Sequence, residues 1–536
     1  MTPDAIVVGA GPNGLVAANL LADAGWSVLV LEQQPEPGGA VRSDRELDPE
    51  WVHDTFSAFY PLAAASPVVR ELGLERHGLE WVHAPAVLGH PLPDGQWAML
   101  HRDRDRTAAG LDALCAGDGE AWLELSRLWD RIGDPLLEAV IRPFPPVRAG
   151  ARLAARIPRS GGLDLVRTLL TPVAELGRSR FRGEGPALLL CGNGGHADIP
   201  LDSPGSGLFG FLLAMLGQEV GFPVPRGGAG QLTAALVRRL ESLGGTVECG
   251  RAVTRVLVED RRAVGVETAD GERLAAGRAV VADVSALRLF GRLLERAQLP
   301  DKVARGMRTF QLDPGTVKVD WALDGPVPWT SPPPAAPGTV HVADTVSQMS
   351  EALGQVQARM IPAEPFLLVG QMTTADPTRS PAGTESMWAY THVPQPGTDV
   401  RDAGDGSVCG TWDRDDCERF ADRVQARLER LAPGFGSRVR ARRVLGPFEL
   451  EERDANLVGG AINGGTSQIH QELLFRPVPG MRGRAETGIR GLYLGSASAH
   501  PGGGVHGSAG ANAARAALLH HRLGRITPWR AGDRRA

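Results

Sequence analysis

The turn Gly9-Ala10-Gly11-Pro12-Asn13-Gly14, set directly after the apolar run Ala5-Ile6-Val7-Val8, constrains this chain more than any other segment. Glycines at this spacing let the backbone reverse sharply, approach a phosphate closely and pack the following helix on its strand. The unpaired N–H groups of that helix's first turn then face an anion. The pattern predicts a helix over 15–24 that stops at Gly25, and a second strand over 27–31 that ends on Glu32. Glu32 stands 18 residues after Gly14, where a carboxylate can accept from ribose hydroxyls. The expected fold class is therefore α/β, with a Rossmann-like dinucleotide-binding domain.

Two further blocks carry the same kind of pattern. Gly227-Gly228-Ala229-Gly230 opens a helix whose face is Leu232, Leu236, Val237 and Leu240, and short β-branched strands follow over 246–248, 253–258, 263–268 and 278–282. Near the carboxyl end, a strand over 491–494 leads through the glycine loop 495–504 into an alanine-rich helix predicted over 505–523. The dinucleotide-binding domain is thus expected to be discontinuous, formed by 1–65, 225–290 and 485–536. The stretches 66–224 and 291–484 are expected to form one α+β substrate domain built from two insertions.

Composition narrows the class. At 536 residues, 43% hydrophobic and 22% charged, the chain can bury several cores. A net charge of −5 argues against a nucleic-acid partner. Five cysteines with no CxxC pair exclude a dithiol centre, and no metal-ligand spacing appears among the histidines, so no metal is expected. No basic segment precedes the first strand and no apolar run approaches the roughly 18 residues of a spanning helix, so a cytoplasmic protein is expected. One local departure is the stretch 142–182, with nine arginines against Asp164 and Glu175. It can be a solvated helical surface, a site that attracts an acidic substrate, or a peripheral contact with an anionic membrane.

Gly38-Gly39, followed by Arg42, suits a flavoprotein's second close approach to the pyrophosphate. The loop Gly495 to Gly507 can cradle ribitol and aim a helix N-terminus at the pyrimidine side of a flavin. With these segments, His53-Asp54-Thr55-Phe56-Ser57, Pro225 to Leu232, Arg476-Pro477 and Gly491 to Asn512, the sequence resembles the phytoene desaturase-like FAD oxidoreductases, and within them the pyridine nucleotide-disulfide oxidoreductase domain-containing branch.

That resemblance implies FAD as cofactor, held by Gly9, Gly11, Pro12, Asn13 and Gly14, by Glu32 and Gln33, and by Gly38, Gly39, Ala40 and Arg42. It further implies contacts from Val253, Gly495, Ser496, Gly504, Val505 and His506. Ser496 departs from the Gly-Asp often found before the ribitol in such folds. The implied reaction is C–C dehydrogenation, its reverse, or an isomerisation of an apolar or amphipathic small molecule by hydride transfer to flavin N5. Oxygen or a quinone is the expected electron acceptor, since no second GxGxxG unit with an acidic strand end exists to hold NADPH. The alternatives are a flavin amine or alcohol oxidase, or a flavin-stabilised binding protein without turnover. His506, His500 and Asp54 are the candidate catalytic groups, with Ser57, His470 and Gln471 as substrate-side candidates. His506 can equally cap the last helix, and Asp54 can equally serve a structural hydrogen bond.

Overall fold

The computed structural model describes residues 2–526. Five parallel strands form the first sheet in the order Leu492–Leu494, Ala279–Ala282, Ala5–Val8, Val28–Leu31, Thr246–Glu248, so three remote chain segments interleave. Strands buried on both faces must be apolar throughout, and Ala5-Ile6-Val7-Val8 and Ala279-Val280-Val281-Ala282 are. Helices Pro12–Asp23, Gly230–Ser242 and Ser508–Ile526 cover one face. The other face packs against the antiparallel strands Val253–Glu259, Arg262–Thr268 and Arg273–Ala275. The helix predicted over 15–24 begins three residues earlier, because Pro12 at its first position lacks the N–H that would go unpaired there. The carboxyl-terminal helix starts at Ser508, three residues later than expected, because Gly507 holds φ +68°.

The second sheet has seven strands, ordered Val439–Leu445, Gly315–Leu323, Glu385–Val393, Leu367–Gln371, Pro337–Val342, Ala86–Pro91, Trp97–Leu100. Ala86 pairs with Pro337, which joins both insertions in one sheet. On one face lie the helices Asp118–Ile141, Glu184–Gly195 and Ser206–Glu219, and on the other the helix Arg414–Leu431. Val317, Val319 and Trp321 point to the second core, so by the period-two rule Thr316, Lys318 and Asp320 point to the first.

The expected domain limits need correction. Val68, Val69, Leu72, Leu74 and Leu79 pack in the core of the dinucleotide fold, so that unit continues past 65 to about residue 80. Phe290, Leu293 and Val303, with Val478 and Met481, cover the opposite face of its sheet, which moves the other two limits into the supposed insertions. These short proline-started helices and turns have no βαβ pattern to announce them. Residues 527–536 of the third expected segment lie outside the described residues.

Candidate functional site

The glycine turn and the seven-stranded sheet open onto one continuous cavity of about 710 Å³. At its dinucleotide end, Gly9, Gly11, Pro12 and Asn13 line the wall, joined by Glu32, Gln33, Gly39, Ala40 and Val253. From the carboxyl-terminal loop come Ser496, Gly504, Val505 and His506. Gly9 holds φ +98° and Gly39 φ +52°, and a Cβ on Gly39 would come 3.1 Å from Gly11 Cα. The two glycine turns therefore form a cradle that side chains would fill, as a close-lying pyrophosphate requires. Glu32 accepts from the N–H groups of Ala10 (2.8 Å) and Gln34 (2.9 Å), which fixes its carboxylate at the strand end.

Four of the expected cofactor residues act from behind this wall. Gly14 donates its N–H to Asp283 Oδ2 at 2.7 Å, and a Cβ there would overlap the Gly9 carbonyl. Gly38 N–H binds Ala10 O, while Arg42 donates to the carbonyls of Gly39 and Arg453. Gly495 lets the last strand approach Ala513 of the final helix, to 3.2 Å from its Cβ position.

Sequence reasoning missed Asp283, Asp454 and Asn456. Burial pushes the Asp283 carboxyl up to about 8 against the opposing Gly14 N–H, with Asp454 and Glu32 adding to the rise. Burial raises Asp454 as well. With its proton kept at neutral pH, the Asp283 carboxyl lets an anion lie beside it, where an ionised one would repel it. Asn456 Nδ2 donates to Asp283 O and its Oδ1 accepts from Ser285 N–H, so a loop from the substrate half closes the dinucleotide end. No glycine motif marks these positions. These residues fit a dinucleotide held along the glycine cradle.

The catalytic candidates need correction. Asp54 is fully buried outside the cavity, where it pairs with Arg379 (2.9 Å) and accepts from Ala229 N–H and Ser43 Oγ. Its role is structural. His500 lies behind the cavity wall, its Nε2 bonded to Arg142 O at 3.0 Å, and burial pulls its pKa down to about 4. His506 does line the cavity, but its Nδ1 accepts from Ser508 N–H at 3.0 Å at the start of the last helix. Burial also pulls it down to about 4, so it stays neutral there and serves as a cap. His470 is exposed and bonded to Gln311 Oε1, while Gln471 is buried with both amide atoms on the Gln311 backbone. Neither reaches the cavity. Ser57 does, with its hydroxyl bonded to Ala40 O at 2.7 Å.

The far end of the cavity is built by residues the sequence reading passed over. Phe59, Leu137, Ile141, Phe209, Leu213 and Phe222 make it apolar. The sheet contributes Thr316, Lys318, Thr339, Trp388 and Tyr390. Their signal was present as strict alternation in Thr316-Val-Lys-Val-Asp-Trp321, while Met387-Trp-Ala-Tyr-Thr-His392 reads only as a strand rich in aromatic residues. Burial pulls the Lys318 ammonium below its ordinary range, while Asp320 beside it holds it up.

Residues 13–347 match the family model described as flavin containing amine oxidoreductase. Pyridine nucleotide-disulfide oxidoreductase domain-containing protein 2 of Mus musculus is 28% identical over 95% of this chain and 92% of its own. The lycopene-forming phytoene desaturase of Pantoea ananas is 24% identical over 96% of this chain and 98% of its own. Among solved structures, cyclohexylamine oxidase from Brevibacterium oxydans shares the fold, with a TM-score of 0.59 at 16% identity over 97% of this chain and all of that one. A family match across most of the chain, on a glycine cradle and a cavity of this form, makes the protein a member of the flavin-containing amine oxidoreductase family and an FAD-dependent oxidoreductase.

Proposed function

We propose that the protein dehydrogenates, saturates or isomerises a C–C bond of an apolar or amphipathic small molecule and passes electrons to oxygen or a quinone. The observation that carries this reading is the character of the chamber beyond the glycine cradle. Its helical walls are apolar, and among the described residues no carboxylate of the seven-stranded sheet lines it. Lys318 is that sheet's charged contribution and is itself paired with Asp320, so the sheet offers an alkylammonium group no free counter-ion. Bound in the cradle, FAD supplies a hydride acceptor. The chain's own part is to exclude water with Phe59, Phe209 and Phe222, to hold the substrate against the sheet, and to keep the Asp283 carboxyl protonated beside the cradle.

The second reading, oxidation of an amine or alcohol, is favoured by the description of the matching family. A substrate panel mixed anaerobically with the holoenzyme separates the two, with flavin absorbance as readout. Bleaching by polyenes or amphipathic alkanes is expected. Bleaching by amines alone would overturn the C–C reading.

We also propose that the arginine-rich stretch lies on an anionic membrane. Helices Val147–Arg156 and Leu163–Leu170 expose Val147, Leu163 and Leu170 beside Arg148, Arg152 and Arg156. The preceding helix Asp118–Ile141 carries Leu137 and Ile141 on the cavity wall, which supports delivery of an apolar substrate from lipid. No helix among the described residues is long and apolar enough to cross a membrane. Replacing the three arginines by Gln is expected to weaken binding to vesicles of 70% phosphatidylcholine and 30% phosphatidylglycerol by about tenfold or more. Unchanged sedimentation with those vesicles would sink the proposal.

A further inference from the structure

A chain of buried imidazoles ends on a phenol in the substrate chamber. His196, which caps the helix Glu184–Gly195, places Nε2 at 3.1 Å from Nε2 of His341 on the strand Pro337–Val342. Its Nδ1 lies 3.4 Å from the hydroxyl of Tyr390 on the strand Glu385–Val393. His196 and Tyr390 line the cavity, and His341 lies fully buried behind them. A Cβ at Gly192 would overlap the His341 ring, so a glycine in the adjoining helix makes room for it. Burial pulls His196 down to about 3 and His341 well below its ordinary value, so the pair shares one proton between the facing nitrogens.

Two arrangements satisfy that contact. If Tyr390 donates to His196, then His196 donates to His341, and the remaining N–H of His341 sits on Nδ1, a buried atom with no partner. If instead His341 donates to His196, then His196 Nδ1–H donates to the Tyr390 oxygen. His341 Nδ1 becomes an unpartnered acceptor, and the Tyr390 O–H is left to point into the cavity. A buried orphan donor is the rarer and costlier defect. The second arrangement moves the free donor to the one place where a ligand can meet it. The 3.4 Å separation also suits N–H to oxygen better than the shorter contact typical of O–H donors.

An independent observation points the same way. The hydroxyls of Thr316 and Thr339, on the same sheet face and lining the same chamber, are buried and have no partner. Lys318, which pairs across the strands with Tyr390, has its charge answered by Asp320, and Arg443 is answered by Asp44 and Asp320. The polar wall is therefore close to neutral and rich in donors.

We propose that the substrate carries an uncharged oxygen acceptor of carbonyl type, which takes a hydrogen bond from Tyr390, with His196 and His341 as positioning residues that set the direction of that bond. The proposal rests on the reading of the chamber as the substrate site, and it predicts an amphipathic ketone or aldehyde-like molecule over a pure hydrocarbon.

Calorimetric titration of the oxidised holoenzyme with octan-2-one, and with oct-1-ene as the hydrocarbon control, tests it. Tyr390→Phe is expected to weaken the ketone about tenfold, the size of one neutral hydrogen bond, and to change the alkene less than about twofold. His196→Leu should weaken the ketone similarly, and His196→Gln, which keeps an N–H for the phenol oxygen, should restore most of the affinity. Visible flavin absorbance confirms that each variant remains folded and loaded. If Tyr390→Phe leaves ketone affinity unchanged, or weakens both probes equally, the proposal is overturned. If neither probe binds the flavin-loaded wild type, the chamber is not the substrate site and the functional reading fails with it.

Discussion

A Gly11→Val protein is expected to purify without flavin, with FAD affinity reduced by at least about 100-fold, or about 2.7 kcal/mol. Gly11 precedes the helix Pro12–Asp23 as its N-cap and forms the floor of the cradle. A Cβ there would stand 2.6 Å from Asp283 Oδ2, so the valine side chain has no room without displacing that carboxyl or the floor of the cradle. The space that a pyrophosphate needs is the space those atoms would take. Gly110→Ala is the control, since Gly110 lies in a helix with nothing within 4 Å of its Cβ position. It should retain flavin fully. The ratio of flavin absorbance to protein absorbance, read beside far-ultraviolet circular dichroism, gives the result. Full flavin content in a folded Gly11→Val protein would disprove the placement of the cofactor.

The second large effect is on stability. Arg379→Leu is expected to cost about 3–5 kcal/mol, because it leaves two carboxylates buried without their cation. Arg379 is wholly inaccessible, with its Nη2 on Asp54 at 2.9 Å and its Nε on Asp376 at 3.1 Å. Asp54 also takes the Ala229 N–H and Asp376 the Gly227 N–H, both at 2.7 Å. The cluster thus ties a turn of the substrate half to the loop that opens the helix Gly230–Ser242 and to the strand His53–Asp54. Adding Asp54→Asn and Asp376→Asn to Arg379→Leu should recover part of the loss, since the uncompensated charges are then gone. Chemical denaturation with flavin fluorescence as probe measures both. A loss below about 1 kcal/mol in the single variant would contradict the charge argument, and a folded variant that keeps its flavin would agree with a purely structural Asp54.

Legibility followed the length of chain over which each feature is built. Strands Ala5–Val8 and Val28–Leu31 were readable because each is a short apolar run, Thr246–Glu248 because it follows the Gly244-Gly245 stop, and the helix Gly230–Ser242 because its apolar face repeats along the chain. Glu32 and Gly39, read from spacing, and Val253 and Ser496, placed by resemblance, line one cavity. The two histidines divide for a physical reason. An imidazole near a glycine loop reads alike in sequence whether it lines a cavity or lies behind its wall, and only the fold shows that His506 lines the cavity while capping the last helix and that His500 is turned to the Arg142 carbonyl. Tyr390 and His196 escaped notice because they are 194 residues apart and meet only across the second sheet.

By itself the sequence determined that this chain folds around a glycine turn between strand and helix, with a carboxylate at the end of the next strand and a discontinuous α/β domain, since those features depend on backbone freedom and periodicity within a few tens of residues. The tertiary structure alone decided which polar groups share the cavity, that Asp54 is paired with Arg379 outside it, that burial raises the Asp283 carboxyl, and that Tyr390 lines the cavity's apolar end. Burial, charge pairing and hydrogen-bond direction are properties of neighbours in space, and for these residues the neighbours come from the far ends of the chain.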